Sequence, residues 1–390
     1  MSTSFNPPSY GSFQRRAFIA GGVLLVLMLI ALFVNPAQFF RAYLIGWTFW
    51  TGVAVGCLAL LMLQHLTGGG WGLVIRRVLE AATRTLPFMA VLFIPIIIGS
   101  HSLYPWTDPE EVAQHPAVQF KAGFLNVPFF TVRAVIYFGV WITLAYFLNR
   151  WSLQQDRTAE NRYAKRMRVL SGPGMVALIF AVTFASIDWY MSLEPEWFST
   201  IYGFIFVASW SLSALAFVIA AMAVLVKDQP LARIVKPLHF QDLGKLLLAL
   251  VMLWAYFAFS QYLIIWSGNL PEEIVYYLER QHGVWGAVII GIFLLHFAAP
   301  FLFLLSRDLK RNSSRLMLVA LLVMVMRMID LLWMLVPAFH GHTWVWLCAI
   351  AFIAFGGLWL GLFAWQLSKR ALIPINDQQF ESVLATDAHR

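Results

Sequence analysis

Charge is what this chain has least of. Asp, Glu, Lys and Arg together make up 12% of its 390 residues, and no gap between its apolar stretches is long enough to fold by itself, which excludes a soluble domain. Cysteine is scarcer still. Cys57 and Cys348 each lie inside an apolar stretch, where a free thiol acts as a small hydrophobe. There is no CxxC, no CxxCH and no cysteine cluster, so neither an iron–sulfur centre nor a c-type haem is expected on this chain. A Walker lysine motif, a GxGxxG ahead of a helix and an HExxH are missing too, and with them the usual signs of autonomous enzymatic chemistry. The Gly68-Gly69-Gly70 run reads only as a flexible turn. The first apolar stretch ends at Asn35-Pro36 instead of a small-x-small site, which predicts no cleaved signal peptide.

What fills the chain is long apolar sequence. Ten stretches run roughly over Ala17–Val34, Phe39–Leu63, Leu79–Gly99, Pro128–Leu148 and Val169–Trp189, then Ile201–Val226, Leu243–Trp266, Val284–Leu305, Leu316–Val336 and Trp344–Leu367. Most reach the ~20 residues with which a helix crosses ~30 Å of hydrocarbon. A globular domain would break its apolar helices with a polar face. The predicted fold class is therefore an all-α polytopic membrane protein with about ten transmembrane helices, and that number fits two four-helix bundles plus flanking helices. Residues 1–16 and 368–390 are expected as terminal tails around a transmembrane domain over 17–367. Within it, 101–127 is the longest loop, and its Tyr104-Pro105-Trp106 suits headgroup level. The segment 71–84 has helical periodicity, with Arg76, Arg77, Glu80 and Arg84 among apolar residues. It reads as an interfacial amphipathic helix that leads into the third span while its arginines snorkel.

The basic residues fall into every second gap. Arg150 to Arg168, Lys227 to Lys236, Arg307 to Arg315 and both tails are basic, whereas the alternate gaps hold Asp108, Glu110, Glu111, Glu194, Glu196, Glu272 and Glu273. The positive-inside rule then places both termini in the cytoplasm. The net charge of +8 is thereby spent on topology, and no nucleic-acid partner is expected.

Ionisable groups inside spans are rare and are the functional candidates. Arg327 and Asp330 lie three residues apart in the ninth span and share a helix face. They suit either a structural ion pair locking that helix to its neighbours or a proton-handling site. Asp188 closes the fifth span, where an acid can cap or pair near the surface. His296 sits mid-span, as a hydrogen-bonded core residue or a proton carrier. Tyr256, Ser260 and Gln261 form a polar stripe on the seventh span, able to glue helices or hold water. No two spans offer histidines at matching depth for a b-type haem, and no metal-ligand spacing is present.

Four stretches carry a family resemblance covering about Trp71 to Phe339. They are Trp71-Gly72 with Arg76-Arg77-Val78-Leu79-Glu80 and Arg84-Thr85-Leu86-Pro87; Leu125-Asn126-Val127-Pro128-Phe129-Phe130; Ile187-Asp188-Trp189 with Ser192-Leu193-Glu194-Pro195 and Trp197 to Gly203; and Asp242-Leu243-Gly244-Lys245 with Phe259-Ser260-Gln261 and Ser267-Gly268-Asn269-Leu270-Pro271-Glu272-Glu273. Together they resemble the ActF subunits of alternative complex III, within the NrfD/polysulfide-reductase-like integral membrane family.

The resemblance implies two four-helix bundles in a bacterial cytoplasmic membrane. It also implies partner subunits: an NrfD-like quinol-binding subunit, an iron–sulfur subunit and multihaem cytochrome subunits. Quinol, iron–sulfur clusters and haems would belong to those partners, and this chain would hold no cofactor. Its expected role is assembly and proton translocation coupled to quinol oxidation, with Asp188, Tyr256, Ser260, Gln261, His296, Arg327 and Asp330 lining a hydrated half-channel. An alternative is a purely structural anchor whose acidic, aromatic loops around Trp106, Trp197 and Glu272 dock periplasmic redox subunits. A secondary transporter fits less well, since no symmetric pair of interrupted helices is visible.

Overall fold

The structure, a computed structural model, describes residues 10–158, 160–227, 231–339, 341–374 and 376. Ten of its helices are long and apolar enough to cross a membrane: Gly11–Val34, Pro36–Thr67, Gly70–Ile98, Val127–Thr158, Asn161–Leu193, Tyr202–Leu225, Pro237–Gly268, Val284–Leu305, Ser313–Phe339 and Val345–Leu367. No strand occurs among the described residues, and the chain is an all-α polytopic membrane protein. The first helix begins at Gly11, ahead of the predicted Ala17. Residues 1–9 and 377–390 of the predicted tails lie outside the described residues.

Spans two to five close into one ring of four helices and spans six to nine into a second. The first and tenth spans lie side by side and pack on the second, so two four-helix bundles with two flanking helices account for all ten. The bundles meet where the sixth span crosses the second and fifth. The second span is apolar all round and is buried along its whole apolar window, the environment such a helix requires. Gly56 makes its crossing with the sixth span possible, since a Cβ there would fall 2.1 Å from the Trp210 carbonyl oxygen. Lipid offers helices no hydrophobic drive to associate, and close backbone approach at small residues supplies the dispersion contact instead. The seventh and eighth spans turn most of their apolar surface outward.

Two spans are bent, each for a legible reason. The third is split into Gly70–Thr83, Leu86–Val91 and Ile94–Ile98, and Pro87 and Pro95 open the second and third pieces. Proline suits a first turn and breaks the ladder of whatever precedes it. The predicted amphipathic helix does lead into this span, but its arginines do not snorkel. Every residue from Gly72 to Thr83 is buried. The eighth span widens into a π-helical turn over Phe293–Ala298. Pro300 lacks the N–H that would bond the His296 carbonyl, and a widened turn is one way a helix accommodates that loss.

The loops divide the molecule into a basic end and an acidic end. At the acidic end, the segment between the third and fourth spans forms short helices over Ser100–Leu103, Pro109–Gln114 and Pro116–Phe120. They are pinned by Tyr104 Oη donating to the Trp189 carbonyl at 3.1 Å and Lys121 Nζ donating to the Pro195 carbonyl at 2.6 Å.

Candidate functional site

Two buried arginine–aspartate centres stand out, one in each bundle. In the first, Asp188, near the end of the fifth span, has no solvent exposure. Arg133 of the fourth span grips it with two hydrogen bonds, Nε to Oδ2 at 2.7 Å and Nη2 to Oδ1 at 2.9 Å. Tyr137 Oη donates to Oδ2 at 2.6 Å. The remaining Arg133 nitrogen, Nη1, donates to the Phe124 carbonyl at 2.8 Å, and the guanidinium lies 3.8 Å and 4.4 Å from the Phe124 and Phe129 ring centres. Each charged atom thus has a partner, which is the condition under which a buried pair is tolerated. The centre ties the fourth span, the fifth span and the acidic-end loop together.

The second centre is built differently. Arg327 and Asp330 touch each other through Nη1 and Oδ2 on consecutive turns of the ninth span, and both are buried. Arg327 Nε has no hydrogen-bond partner among the described residues. His296, on the widened turn of the eighth span, packs toward the ninth and is fully buried. Its ring meets Trp254 edge-on at 4.3 Å between centroids. Neither ring nitrogen has a hydrogen-bond partner among the described residues. An unpaired buried polar atom costs roughly 1–3 kcal/mol, and such atoms call for a specific explanation. The Arg327–Asp330 contact is made within one helix.

The polar stripe of the seventh span divides. Gln261 is buried, accepts from Ser199 Oγ at 2.8 Å and donates to Tyr277 Oη at 3.3 Å, which binds the span to the acidic-end segments. Tyr256, expected on a hydrated interior seam, is 65% exposed on the outside of the bundle. Ser260, one turn on, is half-buried. The structure therefore brings His296, Arg327 and Asp330 together, puts Asp188 in the other bundle, and leaves Tyr256 out.

Sequence reasoning missed Arg133 and Tyr137 as partners of Asp188, and it missed a third cluster at the basic end. Glu80 is buried and accepts from Arg76 Nε at 3.0 Å and Arg77 Nη1 at 2.7 Å. Arg370 Nη1 reaches it at 3.3 Å. Arg77 also pairs with Asp156 of the fourth span, and both arginines donate to Ser152 Oγ, at 3.1 and 3.0 Å. This network fastens the third span, the fourth span and the segment after the tenth. Its signal was the spacing of Arg76, Arg77 and Glu80 on one face.

At the acidic end, Arg280 is held by Glu194 through Nη1 at 3.2 Å and Nη2 at 2.6 Å and lies 3.6 Å over the Tyr276 ring. Trp197 stacks on the other side of that cluster, 4.1 Å from Tyr276. Trp106 and Trp197 are both buried. Glu272 alone of that expected trio is exposed. The chain matches no family model and no curated protein.

Proposed function

We propose that this chain is an integral membrane subunit, without a redox centre of its own, of a quinol:electron-acceptor oxidoreductase of the alternative complex III type. It would sit in a bacterial cytoplasmic membrane with both termini in the cytoplasm and serve assembly and proton translocation coupled to quinol oxidation. Quinol, iron–sulfur clusters and haems would lie in its partner subunits. The resemblance of the four sequence stretches supports the choice of complex. The observation that carries the proton role is His296, fully buried with both ring nitrogens unpartnered among the described residues, beside an intrahelical Arg–Asp pair. Such a group can take a proton without first breaking an existing hydrogen bond.

A second reading, a purely structural anchor, is favoured by the saturated Asp188–Arg133 centre. Purification sets both against a transporter, and pumping then separates the two. Purified in mild detergent, the chain should bring down iron–sulfur and multihaem polypeptides; recovery as a lone homo-oligomer would point to a transporter instead. In the intact complex, Asp330→Asn and His296→Gln should lower the proton-to-electron ratio while quinol oxidation continues. Unchanged pumping by both variants in assembled complex would leave only the anchor.

A further inference from the structure

At the basic end, where the fourth and fifth spans meet, a groove of about 550 Å³ is lined by Trp151, Arg162, Lys165, Arg166, Val169, Leu170 and Pro173. All but Trp151 come from one face of the fifth span, at helical spacings of three and four residues. The order along that face is informative. Three cations occupy the first turns, and the apolar positions follow one to three turns deeper along the helix. Trp151, from the neighbouring span, supplies an aromatic wall of the kind found at headgroup level.

Two of the three cations are uncommitted among the described residues, and the third is held only by exposed or neighbouring groups. Several arginines at this end are spent inside the protein: Arg76 and Arg77 on Glu80, Arg84 on the Gln366 carbonyl at 2.6 Å, Arg311 on Gln241 at 2.6 Å. Lys165 and Arg166 have no carboxylate partner among the described residues, and both are exposed. Arg162 pairs with Glu160, an exposed contact of a kind that is weak and exchangeable. Arg162 and Arg166 both lean toward the Tyr163 ring, at 4.9 and 5.8 Å, which holds them on the rim.

We propose that this groove binds an anionic glycerophospholipid, its phosphate among Arg162, Lys165 and Arg166 and the upper part of one acyl chain along Trp151, Val169, Leu170 and Pro173. A basic pocket between helices at the membrane surface is suited to such headgroups. The volume lies within the roughly 300–1,000 Å³ usual for small-ligand sites. A soluble anion would use the cations and leave the apolar wall bare; a zwitterionic lipid would use the wall and gain little from the cations. The proposal is independent of the quinol reading.

The test is native mass spectrometry of the chain, with whatever subunits accompany it, titrated with phosphatidylglycerol or phosphatidylcholine. The triple variant Arg162→Gln/Lys165→Gln/Arg166→Gln should bind phosphatidylglycerol on the order of a hundredfold more weakly, at roughly fivefold per charge. Arg162→Lys/Arg166→Lys should stay within a few-fold of wild type, as should Arg15→Gln/Arg16→Gln elsewhere at the same end. Val169→Asp, which leaves the cations in place and spoils the wall, should also weaken binding at least tenfold. Inorganic phosphate at millimolar concentration should not displace the lipid. Equal affinity for phosphatidylcholine, undiminished binding by the triple variant or by Val169→Asp, or displacement by phosphate would each overturn the proposal.

Discussion

The two bundles each bury an arginine and an aspartate, and treat them in opposite ways. In the first, Arg133 and Asp188 come from different helices, with Tyr137 and the Phe124 carbonyl taking up the remaining hydrogen-bonding capacity. In the second, Arg327 and Asp330 come from one helix, and the nearby His296 has no hydrogen-bond partner among the described residues. The difference teaches what to ask of a charge inside a membrane protein. A saturated interhelical pair has nothing left to offer a proton and much to offer the fold. An intrahelical pair beside an unpartnered histidine fixes little between helices and keeps its chemistry available.

Removing one partner of the saturated centre should have the largest effect. Asp188→Ala strands a buried guanidinium and should cost about 3–5 kcal/mol, read as a lower unfolding temperature in detergent. Arg133→Met with Asp188→Leu should recover most of that loss, because a packed apolar pair needs no partners. If the single variant unfolds like wild type, the contrast between the bundles collapses. Glu80→Gln comes next. It weakens charge-assisted hydrogen bonds from Arg76, Arg77 and Arg370 together and should cost roughly 2–3 kcal/mol. Protease sensitivity after the tenth span should rise with it, since Arg370 fastens that segment. Smaller still is Gln261→Leu, which loses the Ser199 and Tyr277 bonds at about 1 kcal/mol and sharpens the comparison by showing the cost of a neutral tie.

What could be read from the sequence follows the same division. Span number was legible because the bilayer sets length and hydropathy together, but limits only in part: Trp344–Leu367 was expected and Val345–Leu367 is found, whereas Pro128–Leu148 was expected and Val127–Thr158 is found. The unusual residues of the second centre were legible too, because Arg327, Asp330 and His296 are local violations of an apolar background. The first centre was legible only in half. Asp188 has no cation within a turn of it in sequence, and its partner Arg133 is 55 residues away, a separation no helical period encodes. A buried acid without a local cation must find a distant one, and that rule, applied to the first bundle, would have led to Arg133. Burial of Arg76 and Arg77 was hidden for another reason. An amphipathic pattern identifies a polar face without saying whether water or Glu80, Ser152 and Asp156 will meet it.

The smallest predicted stability change carries the most functional weight. His296→Phe replaces a ring that makes no hydrogen bond among the described residues with an apolar ring of similar shape against Trp254. Replacing an unsatisfied buried group by an apolar one of like shape is close to neutral or stabilising, so unfolding should shift by less than about 1 kcal/mol in either direction. If His296 only fills space, every other property should follow stability and stay put. If it passes protons, the proton-to-electron ratio of the proposed complex should fall while the protein remains as stable as before, a dissociation that Asp188→Ala cannot produce. A destabilisation of the size expected at Asp188 would mean that His296 is held by bonds after all, and the two centres would then be of one kind.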